Sequence, residues 1–258
     1  MRIPRIYQPV PLASGQTIEL DAQATVHLTK VLRLRAGDTL VLFNGKANTD
    51  GENGEFMARV HAVGRRSALI EIDEFVERTL ESPLELVLLQ SISRGERMDY
   101  TVQKAVELGV SSIVPVLSER TVVNLKGDRR EKRRTHWQGV VNSACEQCGR
   151  NQVPTVEAVK SFAATIAEAS KITDGLKLVL HHRAETNLTA LPQPQGAVNL
   201  LVGPEGGLST QEIAMAETSG FVPLRLGPRV LRTETAALAA ISVLQWCWGD
   251  SATETNLK

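Results

Sequence analysis

The chain has 258 residues, 42% hydrophobic and 22% charged, with Lys+Arg and Asp+Glu equal at 29 each. This composition excludes a disordered chain, and the charge balance leaves any attraction to nucleic acid or membrane to local patches. A length near the limit of single-core growth favours two modest domains over one.

The amino-terminal MRIPRIYQPVPL carries two arginines and three prolines but lacks the apolar core of a secretory signal. From Thr17 to Asp73 the pattern is short β-like runs: TIEL, DTLVLF, EFMARVHAV and SALIEID, separated by AGD and NTDGENGE. That spacing predicts a small barrel or sandwich, bounded here at residues 1–74. Within it, HLTKVLRLR sets His27, Lys30 and Arg33 at helical spacing, with Leu28, Val31 and Leu32 left to face the barrel. Two readings stand: a solvated helix face, or a basic helix that holds an RNA backbone, extended by Arg2 and Arg5.

FVERTLESPL, residues 75–84, mixes charges with Ser-Pro and is read as a linker. Apolar runs then alternate with helical stretches over residues 85–250, with 251–258 as a tail. LELVLLQSI, SSIVPVL, LKLVLHH, AVNLLV and FVPLRLG read as strands. MDYTVQKAVELG, the basic-headed KGDRREKRRTHWQGVVNSACEQCG, SFAATIAEAS and TAALAAISVLQW read as helices, with Gly109 suited to a left-handed cap. Such alternation predicts a mainly parallel sheet covered on both faces. Ala236–Trp248 is too short to cross a bilayer, so no membrane role is expected. Cys145 and Cys148 form the only C-x-x-C, with no second pair at zinc spacing, so no metal is expected and the chain reads as cytoplasmic with reduced thiols.

LLVGPEGGLSTQEI, residues 200–213, joins an apolar run to a turn with Gly203, Pro204, Glu205, Gly206 and Gly207, then to Ser209 and Glu212 in capping-box relation. Strand, glycine turn and capped helix let backbone approach a ligand at the carboxyl end of a strand; a tight connection without ligand is the other reading. GPEGGLST has neither the lysine of a P-loop nor the G-x-G-x-x-G fingerprint, and Glu205 would repel phosphates, so a polyphosphate or nicotinamide ligand is disfavoured. A second strand end, LGPRVLRTETAALAA, carries Arg229, Arg232, Thr233, Glu234 and Thr235 into an alanine-rich helix; two such turns can line one pocket.

GPEGGLSTQEI followed by LGPRVLRTETAAL resembles the carboxyl-terminal signature of the SPOUT methyltransferases, specifically the RsmE family, which methylates N3 of a uridine in small-subunit (16S) ribosomal RNA. HLTKVLRLRAGD resembles that family's PUA-like RNA-binding domain, SRGERMDYTVQKAVELGV its first Rossmann-like strand and helix, and ACEQCGRNQVP the segment before its middle strand. Val230 stands where isoleucine is frequent. The resemblance implies an α/β fold: a Rossmann-like SPOUT domain with a deep trefoil knot, plus the PUA-like β-barrel. It further implies a homodimer with its active site near the subunit interface, acting on 16S rRNA in the assembled small subunit.

The implied cofactor is S-adenosyl-L-methionine (SAM), held bent by three segments. Gly203, Pro204, Glu205, Gly206 and Gly207 would wrap it. Leu226, Gly227, Val230 and Leu231 would wall its adenine, with Leu180 and His181 on the third side and Arg232, Thr235 and Ala236 completing the pocket. Methylation of an imide nitrogen needs orientation, a proton acceptor and stabilisation of charge on the flanking carbonyls. Arg232 is the expected charge stabiliser and Glu234 the proton acceptor or the group orienting Arg232; a merely structural ion pair is the alternative. Arg94 and Arg97 are candidates for RNA phosphate. A SPOUT enzyme acting on tRNA or a ribose hydroxyl, and a non-catalytic RNA-binding assembly factor, are the rival readings.

Overall fold

Two compact units make up the computed structural model: Met1–Glu81 with Asn142–Val153, and Ser82–Val141 with Pro154–Lys258. It describes residues 3–46, 52–123, 125, 127–186, 188 and 191–252.

In the first unit, β1 (Arg5–Tyr7), β2 (Thr17–Leu20), β3 (Thr39–Phe43), β4 (Gly54–Val63) and β5 (Ala68–Glu77) form one sheet in the order β1-β3-β4-β5-β2. Alternation decides what it buries. Leu40, Leu42, Phe56, Ala58, Val60, Ala68, Ile70 and Ile72 point to one core shared with Ile6, Ile18 and Leu20, so five strands wrap a single apolar centre. β4 and β5 carry register irregularities at Met57/Ala58 and Val60/Ala62, the kind of local kink that lets a sheet curl.

α1 (Ala22–Val26) runs into a π-helical turn, His27–Val31, and closes at Arg33 with φ 58. Leu28 is fully buried, and Leu32 and Leu34 pack on the core. Val31 departs from the sequence expectation and is 64% exposed. The bond from the Leu32 N–H to the His27 carbonyl, 3.0 Å, spans five residues, and the wider turn swings Val31 away from the barrel.

The segment read as a linker is partly strand. Phe75 to Glu77 pair with Phe56 to Gly54, and the Phe75 ring packs on Phe56 with centroids 5.2 Å apart. The alternation of β5 breaks at the register shift between Ile72 and Glu74, and the aromatic contact gives the extension beyond it a reason to stay paired.

The second unit holds β6 (Leu86–Ser91), α2 (Glu96–Glu107), β7 (Ser112–Leu117), β8 (Thr155–Val156), β9 (Lys160–Ser161) and α4 (Phe162–Ala169). β10 (Leu176–Leu180), β11 (Val198–Val202), α5 (Thr210–Thr218), β12 (Val222–Leu224) and α6 (Thr233–Trp248) complete it. α3 (Asp128–Cys148) falls in the second unit up to Val141 and in the first from Asn142.

Every strand pairing here is parallel, in the order β12-β10-β11-β6-β7-β8 with β9 beside β7. β11 is buried along its whole length, as a strand with helices on both faces must be. On one face Leu89, Val116, Val179 and Leu201 meet Phe162 and Ile166 of α4 and Ile213 and Ala216 of α5. α2 and α6 pack against each other through buried helix faces that include Val102, Val106, Ala237 and Ile241. Among the described residues no helix is long and apolar enough to cross a membrane, and no group of three or more His, Cys, Asp or Glu is arranged to hold a metal ion.

Candidate active site

Parallel pairing puts the carboxyl ends of β10, β11 and β12 side by side, and the three loops leaving them enclose a cavity of about 570 Å³. Leu180 and His181 follow β10, Gly203 to Gly207 follow β11, and Leu226, Gly227, Val230, Leu231 and Arg232 follow β12; all line it, with Glu234 and Ala236 at the start of α6. The volume lies in the range of small-molecule sites, about 300–1,000 Å³.

The glycine turn is held from several directions. Its own bond runs from the Gly207 N–H to the Pro204 carbonyl, 2.8 Å, and Gly207 sits at φ 68. A Cβ on Gly203 would lie 3.0 Å from the Leu208 nitrogen and 3.1 Å from Leu208 Cγ, so a side chain there would crowd the fold-back of the turn. Gly227, at φ 77, leaves open space where a Cβ would stand. Ser209 and Glu212 form both arms of a capping box at the start of α5, and the second Glu212 oxygen accepts from the Glu119 N–H at 2.8 Å.

Glu205 lines the cavity, but its carboxylate is engaged within the protein. Oε1 accepts from the Arg94 N–H at 2.9 Å and from Arg97 Nη1 at 3.3 Å. Partial burial pushes this carboxyl up, and the hydrogen bonds from the Arg94 amide, its own amide and Arg97 outweigh that, holding it below the ordinary carboxylate range. On the other side Arg120 Nη1 donates to the Gly206 carbonyl at 3.0 Å.

Arg232 is exposed and serves as the N-cap of α6 without a side-chain cap bond, since a guanidinium has no acceptor to offer. Glu234 is half-buried, and its Oε2 is shielded from solvent with no hydrogen-bond partner. A carboxylate oxygen left in that state beside a cavity is suited to accept a proton or a donor from a ligand. Arg225 and Arg229 join Arg97, Arg120 and Arg232 on the wall. His181 donates its N–H to the Leu224 carbonyl at 3.0 Å, which fixes the loop; burial, then the neighbouring His182, lowers the imidazole pKa.

Two expectations are corrected. Thr235 is exposed and lies outside the cavity lining, because it stands about 200° round the helix from Thr233, which lines it. Arg5 is buried and unavailable to RNA. Its guanidinium pairs with Glu55, donates to Asn151 Oδ1 at 2.6 Å and the Arg150 carbonyl at 3.1 Å, and lies 4.7 Å from the Phe43 ring centroid. Lys30 and Arg33 are exposed, and His27 is half-buried at 4.0 Å from Glu146. Arg94 and Arg97 are exposed; Arg2, and Lys126 at the head of the basic stretch, lie outside the described residues. Cys145 is buried, and burial pushes its thiol pKa up to about 12, which disfavours the reactive thiolate.

Sequence reasoning missed His182 and Arg225 on the wall, and also Gln90, which donates to the Thr233 hydroxyl from the end of β6. Only a polar residue closing the apolar run LVLLQS hinted at the last.

A family profile described as an RNA methyltransferase domain matches residues 80–245, and one described as an RNA methyltransferase PUA domain matches residues 20–73. A ribosomal RNA small subunit methyltransferase E from Buchnera aphidicola is 38% identical over 249 residues, 96% of this chain and 98% of the relative. The crystal structure of a ribosomal RNA small subunit methyltransferase E from Neisseria gonorrhoeae bound to S-adenosyl methionine is 41% identical, with TM-score 0.87 over 97% of this chain and 100% of that one. A putative methyltransferase from Legionella pneumophila, solved with bound cofactor SAM, is 42% identical, with TM-score 0.90 over 97% of this chain and 100% of that one. The chain therefore belongs to the RNA methyltransferase family, among the ribosomal RNA small subunit methyltransferases E.

Proposed function

We propose that this chain transfers the methyl group of SAM to N3 of a uridine in 16S rRNA. The observation that carries the proposal is the cavity on which two glycine turns and the Arg232–Glu234 segment converge. Relatives bearing the small-subunit methyltransferase name, one of them solved with S-adenosyl methionine, support the choice of substrate and cofactor.

The residues fit SAM. Open space at Gly227 gives a flat ligand room against the backbone, and Leu180, Leu226, Val230 and Leu231 supply apolar walls for an adenine. Gly203, Pro204, Gly206 and Gly207 offer backbone on the opposite side, while Glu205 braces their turn rather than facing a ligand freely. Burial lowers the His181 pKa and so favours its uncharged form on a wall that would face a cationic ligand. When bound, SAM supplies an electrophilic methyl.

Arg232 donates to a uracil carbonyl oxygen and stabilises the negative charge that grows there as N3 loses its proton. Glu234 Oε2, lacking a partner, accepts that proton or fixes the Arg232 guanidinium. The test is Glu234→Gln: turnover falls by about 10²–10⁴ while SAM and RNA affinity hold. Full turnover in that variant rules out the base role.

RNA binding falls to Lys30, Arg33 and His27 in the PUA-like domain, to Arg94 and Arg97, and to the exposed Arg129, Arg130, Lys132 and Arg133 of α3. The methyltransferase domain spans residues 85–250, threaded as a trefoil knot. The enzyme works in the cytoplasm as a homodimer on the assembled small subunit; the exposed Val243 and Trp246 of α6 support an intersubunit surface.

A further inference from the structure

At the carboxyl end of β6 the second unit buries three polar side chains within four residues: Gln90 and Ser91 are 0% exposed and Ser93 3%. Gln90 Nε2 donates to the Ser91 carbonyl at 3.0 Å and to Thr233 Oγ1 at 3.1 Å. Thr233 Oγ1 in turn lies 2.7 Å from the Gly203 carbonyl oxygen. A carbonyl only accepts and a hydroxyl has one proton, so the Thr233 proton goes to Gly203 and the hydroxyl accepts from Gln90. The chain therefore has one polarity: amide to hydroxyl to carbonyl.

Its three members sit at three decisive places. Gln90 ends a central strand, Thr233 opens α6 between Arg232 and Glu234, and Gly203 begins the glycine turn. Thr233 is 6% exposed, so water is poorly placed to replace a lost partner. We infer that Thr233, its hydroxyl oriented by Gln90, is a positioning residue that fixes the Arg232–Glu234 pair against the glycine turn. The inference rests on the methyl-transfer reading above. In-line transfer is sensitive to such placement, since a shift of about 1 Å costs on the order of 10²-fold in rate.

Four variants test it: Thr233→Ser keeps the hydroxyl, Thr233→Val keeps the shape without the donor, Gln90→Met removes the amide donor, and Gln90→Glu reverses it. Burial holds a carboxyl at this position protonated near neutral pH, so Gln90→Glu is compared at alkaline pH, where the ionised group only accepts and draws the Thr233 proton away from Gly203. The readouts are amide hydrogen exchange over Gly203–Leu208 in ligand-free protein, SAM affinity by calorimetry, and kcat and KM with small-subunit RNA.

Thr233→Val is expected to exchange faster over Gly203–Leu208, to bind SAM about tenfold more weakly, and to lose about 10²-fold in kcat with KM for RNA unchanged. Thr233→Ser is expected to stay close to the parent. Gln90→Glu should be worse than Gln90→Met and should recover as pH falls, because a protonated carboxyl regains a donor. The inference is overturned if Thr233→Val leaves exchange and kcat unchanged, if Ser is as damaging as Val, or if Gln90→Glu stays no worse than Gln90→Met at alkaline pH with its carboxyl ionised. Should Thr233→Val fail to fold, the Gln90 pair decides. A parent protein that neither binds SAM nor methylates RNA would instead overturn the functional reading, and the exchange comparison would still read the hydrogen-bond chain by itself.

Discussion

Arg5 and Lys30 carry the same charge and meet opposite fates. Arg5 is enclosed with Glu55, their side chains 4% and 7% exposed, whereas Lys30 stands in solvent. Glu55 keeps Arg78, whose Nη1 donates to it at 2.9 Å, so Arg5→Leu removes one of two cationic partners and leaves buried acceptors on Asn151 and Arg150 short of a donor, and should cost about 1–3 kcal/mol of stability in denaturant unfolding. Lys30→Glu should leave the unfolding midpoint in place and weaken RNA binding, with a shallower salt dependence. No local signal separates these two basic residues, because Arg5 is buried by Glu55, fifty positions away. The glycine turn was legible for the opposite reason: its requirement is local, a backbone that folds back where a Cβ on Gly203 would crowd Leu208 and that turns through φ 68 at Gly207. At His181 the folded pKa is depressed, so protonation is easier in the unfolded chain and stability is lost as pH falls below the ordinary imidazole range. SAM affinity should fall as pH drops below the ordinary imidazole range, because an imidazolium on the cavity wall opposes a cationic ligand, and His181→Asn should flatten that profile in calorimetry.

Elements with long periodic patterns or explicit caps could be read from the residues, and α5 is the clearest. Ser209 and Glu212 are three positions apart, and both capping bonds form. Ser209→Ala should lower stability by about 1 kcal/mol in thermal unfolding, and it removes a support of the glycine turn at the same time. β1, β8 and β9 were invisible, because strands of three and two residues have no periodicity to detect and exist only through pairing with β3 and β7. The length of α3 was legible and its division between the two units was not: that division follows from contacts such as the Tyr7 N–H to Glu146 Oε1 bond at 3.0 Å, distant in sequence. Val31 was misread because a π-type turn does not follow the 3.6-residue period.

For the whole molecule, fold class followed from alternation of strand and helix, and the parallel sheet obeys it. Threading and assembly have no period in the residues. A knot depends on the order in which loops cross, and a dimer on which exposed side chains find a partner. Trp246 at 64% exposure and Val243 at 40% are expensive to leave in water, and the proposed dimer predicts that the parent protein runs as a dimer and Trp246→Glu as a monomer in light scattering. The central claim is catalytic, and one measurement reaches it directly. Purified protein is incubated with methyl-labelled SAM and, separately, small ribosomal subunits, naked rRNA and tRNA from cells lacking this gene, and the labelled nucleoside is mapped by mass spectrometry. N3-methyluridine at a single site of 16S rRNA, strongest with the assembled subunit, is the predicted result; label in tRNA or on a ribose hydroxyl, or no label from protein that binds SAM, would contradict it.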